Sequence, residues 1–83
     1  MAHKVIWKKS VSKDFKEITE KLRGKLFAKI EKELSKQPTQ GEKLRGKFAG
    51  LYKCRIGDYR VIYTITPQGV LVLRVRHRKN AYK

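Results

Sequence analysis

The chain has 83 residues, 40% of them hydrophobic and 35% charged, a composition typical of one globular domain with a heavily charged surface. Twenty-two Lys and Arg against seven Asp and Glu give a net charge of +15, which exceeds what solubility requires and destabilises the fold by self-repulsion. We therefore expect a single domain over residues 1–83 and a polyanionic partner, either nucleic acid or an acidic protein.

The residue types also bear on redox chemistry, location and cofactors. The single cysteine, Cys54, excludes an internal disulfide, and its alternation with Tyr52 and Ile56 predicts a small core residue. We expect a cytoplasmic protein without membrane association, because there is neither a signal peptide nor an apolar run long enough to cross a bilayer. Without a cysteine–histidine metal pattern or a phosphate-binding glycine loop, neither a metal nor a cofactor is expected.

The first part of the chain predicts a strand followed by a helix. His3–Lys8 is rich in β-branched and aromatic side chains, which favour a strand. The period then becomes helical over four apolar residues, Val11, Phe15, Ile18 and Leu22. For this helix we expect Ser10 or Ser12 as the N-cap, Asp14 in the first turn and a glycine C-cap at Arg23-Gly24.

A second amphipathic helix follows from four apolar residues at compatible spacing, Leu26, Phe27, Ile30 and Leu34. It must end before Pro38, which cannot continue a helix. The basic segment Lys43–Lys47 is then predicted to be a loop that leads into the sheet.

Three strands are predicted in the second half, Leu51–Ile56, Tyr59–Thr66 and Val70–Arg78. A two-residue turn at Gly57-Asp58 joins the first two, and a three-residue loop Pro67–Gly69, with Gly69 left-handed, joins the last two. Such short connections make the three strands an antiparallel meander. The predicted fold is α+β with element order β-α-α-β-β-β, the helical hairpin packing on one face of a small, mainly antiparallel sheet.

Alternation along these strands separates a core face from a cationic face. The turn pairs Arg55 with Arg60 and Lys53 with Ile62. The core face is expected to hold Tyr52, Cys54, Ile56, Tyr59, Val61, Tyr63, Ile65, Leu71, Leu73 and Val75. The opposite face gathers six cations, Lys53, Arg55, Arg60, Arg74, Arg76 and Arg78. Like charges directly opposed on a sheet are destabilising, and the predicted strands offer no carboxylate partner, so this face is expected to bind an anion rather than to be an ordinary solvated surface.

RNA suits such a site because its own 2′-hydroxyl can act as the nucleophile. Lys and Arg side chains stabilise the negative charge of a phosphorane without a metal. Proton transfer would fall to Lys53, His77 or Tyr82, and Tyr82 could instead stack on a base. Further contacts with the RNA backbone are expected from Lys47, Arg74, Arg76 and Lys79.

Two segments resemble the RelE/ParE superfamily of type II toxin-antitoxin toxins: KLRGKFAGLYKCRIGDYRVIY at 43–63 and HRKNAY at 77–82. The resemblance covers nearly the whole chain and implies a microbial-ribonuclease-like fold. For the RelE branch it implies metal-independent cleavage of messenger RNA in the ribosomal A site. Matched residue by residue, it assigns active-site positions to Lys53, Arg55, Arg60, Arg78 and Tyr82, with Arg55 standing where a lysine is often found.

The resemblance also implies three partners: the ribosome, messenger RNA, and a cognate RelB-like antitoxin whose acidic and apolar segment neutralises the cationic face. The candidate catalytic set, Lys53, Arg55, Arg60, His77, Arg78 and Tyr82, favours an endoribonuclease. Two alternatives stay open on the same scaffold. One is a ParE-like inhibitor of DNA gyrase that does not itself cut nucleic acid, and the other is a non-catalytic RNA-binding relative.

Overall fold

In the computed structural model, which describes residues 3–77, two helices pack on one face of a five-stranded mixed sheet. The predicted α+β class, with both helices on one face of a mainly antiparallel sheet, is confirmed. Arg78, Lys79 and Tyr82 lie outside the described residues. Within residues 3–77, neither helix is long and apolar enough to span a membrane.

The elements in chain order are β1 (Val5–Trp7), α1 (Lys9–Lys16), α2 (Glu20–Lys36), β2 (Glu42–Lys43), β3 (Leu51–Ile56), β4 (Tyr59–Thr66) and β5 (Gly69–His77). The sheet order is β1-β5-β4-β3-β2, in which β1 is parallel to β5 and the other pairs are antiparallel. Strand β2 and a short 3₁₀ turn at Gly46–Phe48 overlap the two ends of Lys43–Lys47, the segment predicted to be a loop. Two charged residues carry no alternation, so the sequence pattern did not indicate β2.

The two helices meet at residues 17–19, earlier than predicted. Gly24 lies inside α2 rather than at a helix end, so the predicted C-cap at Arg23-Gly24 is wrong. The chain instead turns between the helices at Ile18, which is buried. The carbonyl oxygen of Ile18 accepts a 3.1 Å hydrogen bond from Nη2 of Arg23. Because the helical phase restarts at Glu20, Leu22 does not continue the apolar face of α1, and it is 49% exposed rather than part of the core.

Helix α1 covers the edge of β5 that β1 leaves open. Strand β1 pairs with β5 only from Val70 to Val72. Beyond that point the Oγ of Ser10 donates to the carbonyl oxygen of Leu73 at 2.7 Å, and the amide of Val75 donates to Oδ2 of Asp14 at 2.9 Å. Side chains of α1 thus satisfy strand-edge groups that would otherwise be unpaired.

This arrangement corrects the predicted start of α1. The helix begins at Lys9 with Lys8 as its N-cap residue, without a side-chain capping hydrogen bond. Ser10 and Ser12 are inside the helix, where the hydroxyl of Ser12 donates to the carbonyl oxygen of Lys9. Asp14 lies beyond the first turn of α1, where the sequence had placed it to interact with the helix dipole. Its carboxylate instead accepts a hydrogen bond from a backbone amide of β5.

The core lies between the helices and the sheet. It consists of Val11, Phe15, Ile18, Leu26, Ile30, Leu34, Ile56, Val61, Tyr63, Val70, Val72 and Val75. Tyr63 is fully buried, and its hydroxyl oxygen accepts a 3.0 Å hydrogen bond from the amide of Gly41. Burial raises the pKa of Tyr63. A Cβ at position 41 would lie 2.5 Å from that hydroxyl oxygen, so glycine allows the chain to enter β2 here.

Strand β5 departs from the predicted alternation twice, at the turn before it and at a bulge within it. The bulge reverses the effect that the shorter turn has on which side chains face the core. Thr66 pairs with Gly69, so the preceding turn has two residues rather than the predicted three. Gly69 does have a positive φ of 143°, and a Cβ there would collide with the carbonyl oxygen of Lys4. A bulge then places Tyr63 opposite Val72 and Ile62 opposite Arg74, with one extra residue between them on β5.

The shorter turn and the bulge change which residues of β5 reach the core. Val70 and Val72 are buried, whereas Leu71 and Leu73, predicted for the core, belong to the face away from the helices. The bulge restores the predicted phase after residue 73, so Val75 is in the core as predicted. Of the remaining predicted core positions, Ile65 keeps 39% of its side chain exposed.

The carboxylate of Asp14 is expected to be important for stability. Replacing Asp14 with alanine removes the hydrogen bond from the Val75 amide and two from Arg74. We expect the free energy of unfolding to fall by about 2–3 kcal/mol, since a buried amide and a partly buried guanidinium lose their partner. Urea unfolding followed by circular dichroism measures this loss. Asp58→Ala in the exposed turn makes the same change of charge and should cost under about 0.5 kcal/mol; equal midpoints for the two variants would contradict the assignment.

Candidate functional site

Three predicted site residues converge on the sheet face away from the helices, which we call the open face. Lys53 and Arg55 on β3 and Arg60 on β4 line one cleft of about 190 Å³, hereafter the cationic cleft. The predicted register is confirmed, because Arg55 lies directly opposite Arg60 and Lys53 directly opposite Ile62. Directly opposed residues have Cβ atoms about 5 Å apart, so the two guanidinium groups can reach one phosphate together.

A fourth charged side chain, Glu42 on β2, lines the same cleft. Glu42 pairs directly with Lys53 across the sheet, and its Oε2 lies 3.7 Å from the ammonium nitrogen. The sequence predicted no carboxylate on this face because β2 was not recognised as a strand. No local signal marks Glu42: the neighbouring Gly41 lets the chain approach Lys53 and Tyr63 closely, but that approach is visible only in the structure. The cleft therefore holds both an anionic and a cationic group able to exchange protons, as well as two arginines.

The two arginines of β5 differ from each other in their contacts. Arg76 is exposed and lies directly opposite Arg60, so Arg55, Arg60 and Arg76 form a row across three strands. Arg74 is held by Asp14, with its Nε 3.2 Å from Oδ2 and its Nη2 3.1 Å from Oδ1. The Asp14 side chain is only 9% exposed, so this bidentate pair fixes the guanidinium and offsets part of the charge of the open face.

His77 lies in a different cleft, of about 160 Å³, which Tyr59 and Arg76 also line together with Asp14 and Glu17. The ring centroids of His77 and Tyr59 are 5.1 Å apart, with the planes at 84°. Since Tyr59 packs against the core, His77 is on the helix side of the sheet. The structure does not bring His77 together with Lys53, Arg55 and Arg60, and its catalytic role stays a prediction.

The other end of the open face is apolar. Its side chains line a groove of about 460 Å³, hereafter the apolar groove, and include Leu44, Phe48, Leu51, Ile62 and Leu73. Phe48 is 50% exposed, and Nζ of Lys47 lies 5.3 Å from the centroid of its ring. The sequence predicted six cations on this face, together with Ile62 and Thr64, and no apolar groove. The face is instead divided, because the bulge in β5 and the turn at Gly46–Phe48 bring apolar side chains onto it.

Cys54 is half-buried and packs against the core, as predicted. Burial and, second, the charge of Glu33 raise the pKa of the Cys54 thiol from 9.0 to about 11. At pH 8 its thiolate fraction should then be roughly 100-fold lower than that of an ordinary cysteine. We expect slow modification by iodoacetamide, followed by mass spectrometry, and fast modification once the chain is unfolded in urea. Equal rates in the folded and unfolded protein would show that the thiol is accessible and ionised.

Residues 5–82 match the model of the family described as the ParE toxin of type II toxin-antitoxin system, parDE. Toxin RelG of Mycobacterium tuberculosis is 39% identical over 54 residues, which span 61% of this chain and 62%, or less than two thirds, of that toxin.

Solved structures show the same fold. The toxin-antitoxin complex RelBE2 of Mycobacterium tuberculosis contains a chain that superposes with a TM-score of 0.82 at 27% identity, over 94% of this chain and 100% of that one. A chain of the RelB-RelE antitoxin-toxin complex of Methanococcus jannaschii superposes with a TM-score of 0.67 at 23% identity, over 93% and 94%. The predicted RelE-like architecture is confirmed by these superpositions.

The matched model covers almost all of the chain, from the first strand to the tail beyond β5, and the fold agrees with it. The protein belongs to the ParE toxin family of type II toxin-antitoxin systems, within the RelE/ParE superfamily.

Proposed function

We propose that the protein is a ribosome-dependent endoribonuclease that cuts messenger RNA in the A site by attack of a 2′-hydroxyl on the adjacent phosphorus. The observation that carries this proposal is the cationic cleft, where Lys53, Arg55 and Arg60 meet the carboxylate of Glu42. A docking surface for a polyanion needs only cations. A carboxylate among them weakens phosphate binding, but it can accept the proton that the attacking hydroxyl must lose.

The roles follow from the chemistry of each side chain. Arg55 and Arg60, directly opposed on β3 and β4, hold the non-bridging oxygens of the phosphodiester and stabilise the dianionic phosphorane. Arginine does not transfer protons, so Arg55 binds phosphate where a lysine is often found in the family. The proton-transfer roles remain for Glu42 and Lys53.

Glu42 and Lys53 together account for both protons that move in the reaction. Glu42 takes the 2′-hydroxyl proton while the O2′–P bond forms, and Lys53 gives a proton to the 5′-oxygen as the P–O5′ bond breaks. The products are a 2′,3′-cyclic phosphate and a 5′-hydroxyl. No electron acceptor or other reactant is needed. The family resemblance adds Arg78, as a phosphate ligand, and Tyr82, as an alternative proton donor or a stacking surface; both lie outside the described residues.

The proposed partners follow from the same charge pattern. The net charge of +15 suits the ribosome, whose RNA presents phosphates on all sides of the A site, and the message itself. A RelB-like antitoxin with an acidic segment is proposed as the inhibitor. Its carboxylates would pair with Lys53, Arg55 and Arg60 and so exclude the phosphodiester from the cleft.

The test is cleavage on programmed ribosomes. Purified protein is added to ribosomes stalled with a defined codon in the A site, and the message ends are mapped by primer extension, with the same RNA free in solution as the control. We expect cuts confined to the A-site codon and none in free RNA. An intact message in the presence of folded protein would overturn the proposal.

A second function is favoured by one observation, namely that the family model matched by residues 5–82 is that of ParE. In this reading the chain binds DNA gyrase and does not cut nucleic acid. Gyrase supercoiling assays with the same preparation distinguish the two functions. Inhibition of supercoiling together with an intact message on ribosomes would favour the gyrase inhibitor, and the reverse result would favour the endoribonuclease.

A further inference from the structure

We propose that the apolar groove beside the cationic cleft holds a nucleobase of the RNA strand, with the phenyl ring of Phe48 as the stacking surface. The inference rests on the proposed function, because it assigns the groove to a nucleotide next to the phosphodiester in the cleft. Phe48 is 50% exposed, although it lines the groove together with the aliphatic residues Leu44 and Leu51. A base seated there would cover this apolar surface.

The groove is built before any ligand arrives. The turn that carries Phe48 is tied to the sheet at both ends: the amide of Leu44 donates to the carbonyl oxygen of Leu51 at 2.9 Å, and Oγ1 of Thr64 donates to the carbonyl oxygen of Gly50 at 2.7 Å. Within the turn, the amide of Ala49 donates to the carbonyl oxygen of Gly46 at 3.0 Å. A stacking surface held in this way loses little conformational entropy on binding.

The groove and the cleft are adjacent on one face. Ile62 lines the groove and is the direct cross-strand partner of Lys53, which lines the cleft. Leu51 precedes Lys53 by two residues on β3, so their Cα atoms are about 6.6 Å apart along the strand. One RNA strand can therefore place a phosphate between Arg55 and Arg60 and a neighbouring base over the groove.

The charges around the groove favour RNA. Lys47 stands over the Phe48 ring, and Lys8 and Arg74 line the groove, while none of the lining side chains within residues 3–77 is a carboxylate. Asp14 holds the Arg74 guanidinium in place at this edge. An aromatic ring flanked by cations is the arrangement by which proteins bind single-stranded nucleic acid, the ring taking a base and the cations the backbone.

The side chains that line the apolar groove also predict how selective it is among the four bases. Within residues 3–77, Ser10 is the one neutral polar side chain that lines the groove, and its hydroxyl donates to the carbonyl oxygen of Leu73. None of the lining side chains in that part of the chain is an amide that could read the hydrogen-bonding edge of a base. The groove should therefore accept every base and prefer purines modestly, because their stacking area is larger.

The experiment measures equilibrium binding without cleavage. A fluorescent single-stranded RNA of about eight nucleotides, 2′-O-methylated so that it cannot be cut, is titrated with protein and followed by anisotropy; an abasic oligonucleotide of equal length reports the phosphate contacts alone. Phe48→Ala is expected to weaken binding of the base-bearing strand by about tenfold and to leave the abasic strand and the salt dependence unchanged. Phe48→Trp should bind at least as well as the wild type.

Leu22→Ala is the matched control, because Leu22 is equally exposed but lies on α2, away from the open face. It should bind both strands like the wild type, and circular dichroism confirms that each variant is folded. Unchanged affinity of Phe48→Ala for the base-bearing strand, or an equal loss for both strands, would overturn the inference. A third outcome would also overturn it: Phe48→Ala binds RNA like the wild type but no longer binds an acidic, leucine-rich helical peptide. That result would make the groove a protein docking site. Failure of cleavage on ribosomes would reject the proposed function and leave this binding result standing.

Discussion

Replacing Arg60 with alanine is expected to lower the rate of message cleavage on ribosomes by about 100- to 1,000-fold, the effect typical of removing one donor that stabilises a developing charge. Arg60 faces Arg55 on one side and Arg76 on the other, so it stands at the centre of the cationic row. Single-turnover cleavage of A-site message, quantified by primer extension, gives the rate. Circular dichroism of the variant checks that it is folded under the conditions of the assay.

A control variant distinguishes the effect of where the Arg60 charge lies from the effect of the protein's total charge. Lys29→Ala removes one positive charge from an exposed site on α2, and so changes the net charge of +15 by the same amount as Arg60→Ala. It should cleave at close to the wild-type rate. Equal losses in the two variants would mean that the protein acts through its overall charge, and the cationic cleft would then have no special role.

Replacing Glu42 with glutamine is expected to reduce cleavage by about 100-fold or more, since glutamine cannot accept the proton of the 2′-hydroxyl. Glutamine keeps the shape of the side chain and leaves an oxygen acceptor near the Lys53 ammonium, which lies 3.7 Å from Oε2 in the present ion pair. Binding of the 2′-O-methylated RNA should be unchanged or tighter, because a negative charge has been removed from a phosphate site. The expected signature is therefore a lower rate of cleavage without loss of affinity.

Glu31→Gln on the exposed surface of α2 makes the same change of charge and should have no effect on either measurement. Activity of Glu42→Gln near that of the wild type would show that Glu42 only orients Lys53. The proton would then pass to another group, and Tyr82→Phe would be the next variant to measure.

The sequence predicted the part of the fold in which local signals agree. The bounds of β3 and β4 and their register came from alternation on both sides of a Gly-Asp turn, where a slip of one residue would expose every buried side chain. The pairing of Arg55 with Arg60 follows from that register alone. This is why the cationic cleft was largely predictable.

The remaining errors arise where contacts distant in sequence decide the structure. Gly24 looks like a helix end in sequence, but packing of Ile18 closes the helix earlier, and α2 continues through the glycine at a cost of about 0.5–1 kcal/mol. The bulge in β5 accompanies the hydrogen bonds of Ser10 and Asp14 to that strand, which no local pattern encodes.

The candidate site residue that was missed, Glu42, shows the same limitation. Its two-residue strand has no periodicity, and only its pairing with Lys53 places it in the cleft. Phe48 was likewise not singled out, since a lone aromatic residue in a basic segment carries no indication of exposure. Both residues became candidates when the sheet brought them beside Lys53 and Ile62.

The most direct measurement is cleavage of a message that carries a single 2′-deoxynucleotide at the A-site scissile position. The proposed reaction needs that one hydroxyl as its nucleophile, and the all-ribose message serves as the control on the same ribosomes. We expect the cut at that position to disappear in the deoxy message, and the all-ribose product to carry a 2′,3′-cyclic phosphate. Continued cleavage of the deoxy message, leaving a 3′-hydroxyl and a 5′-phosphate, would show that water is the nucleophile and would contradict the mechanism proposed for Glu42 and the cationic cleft.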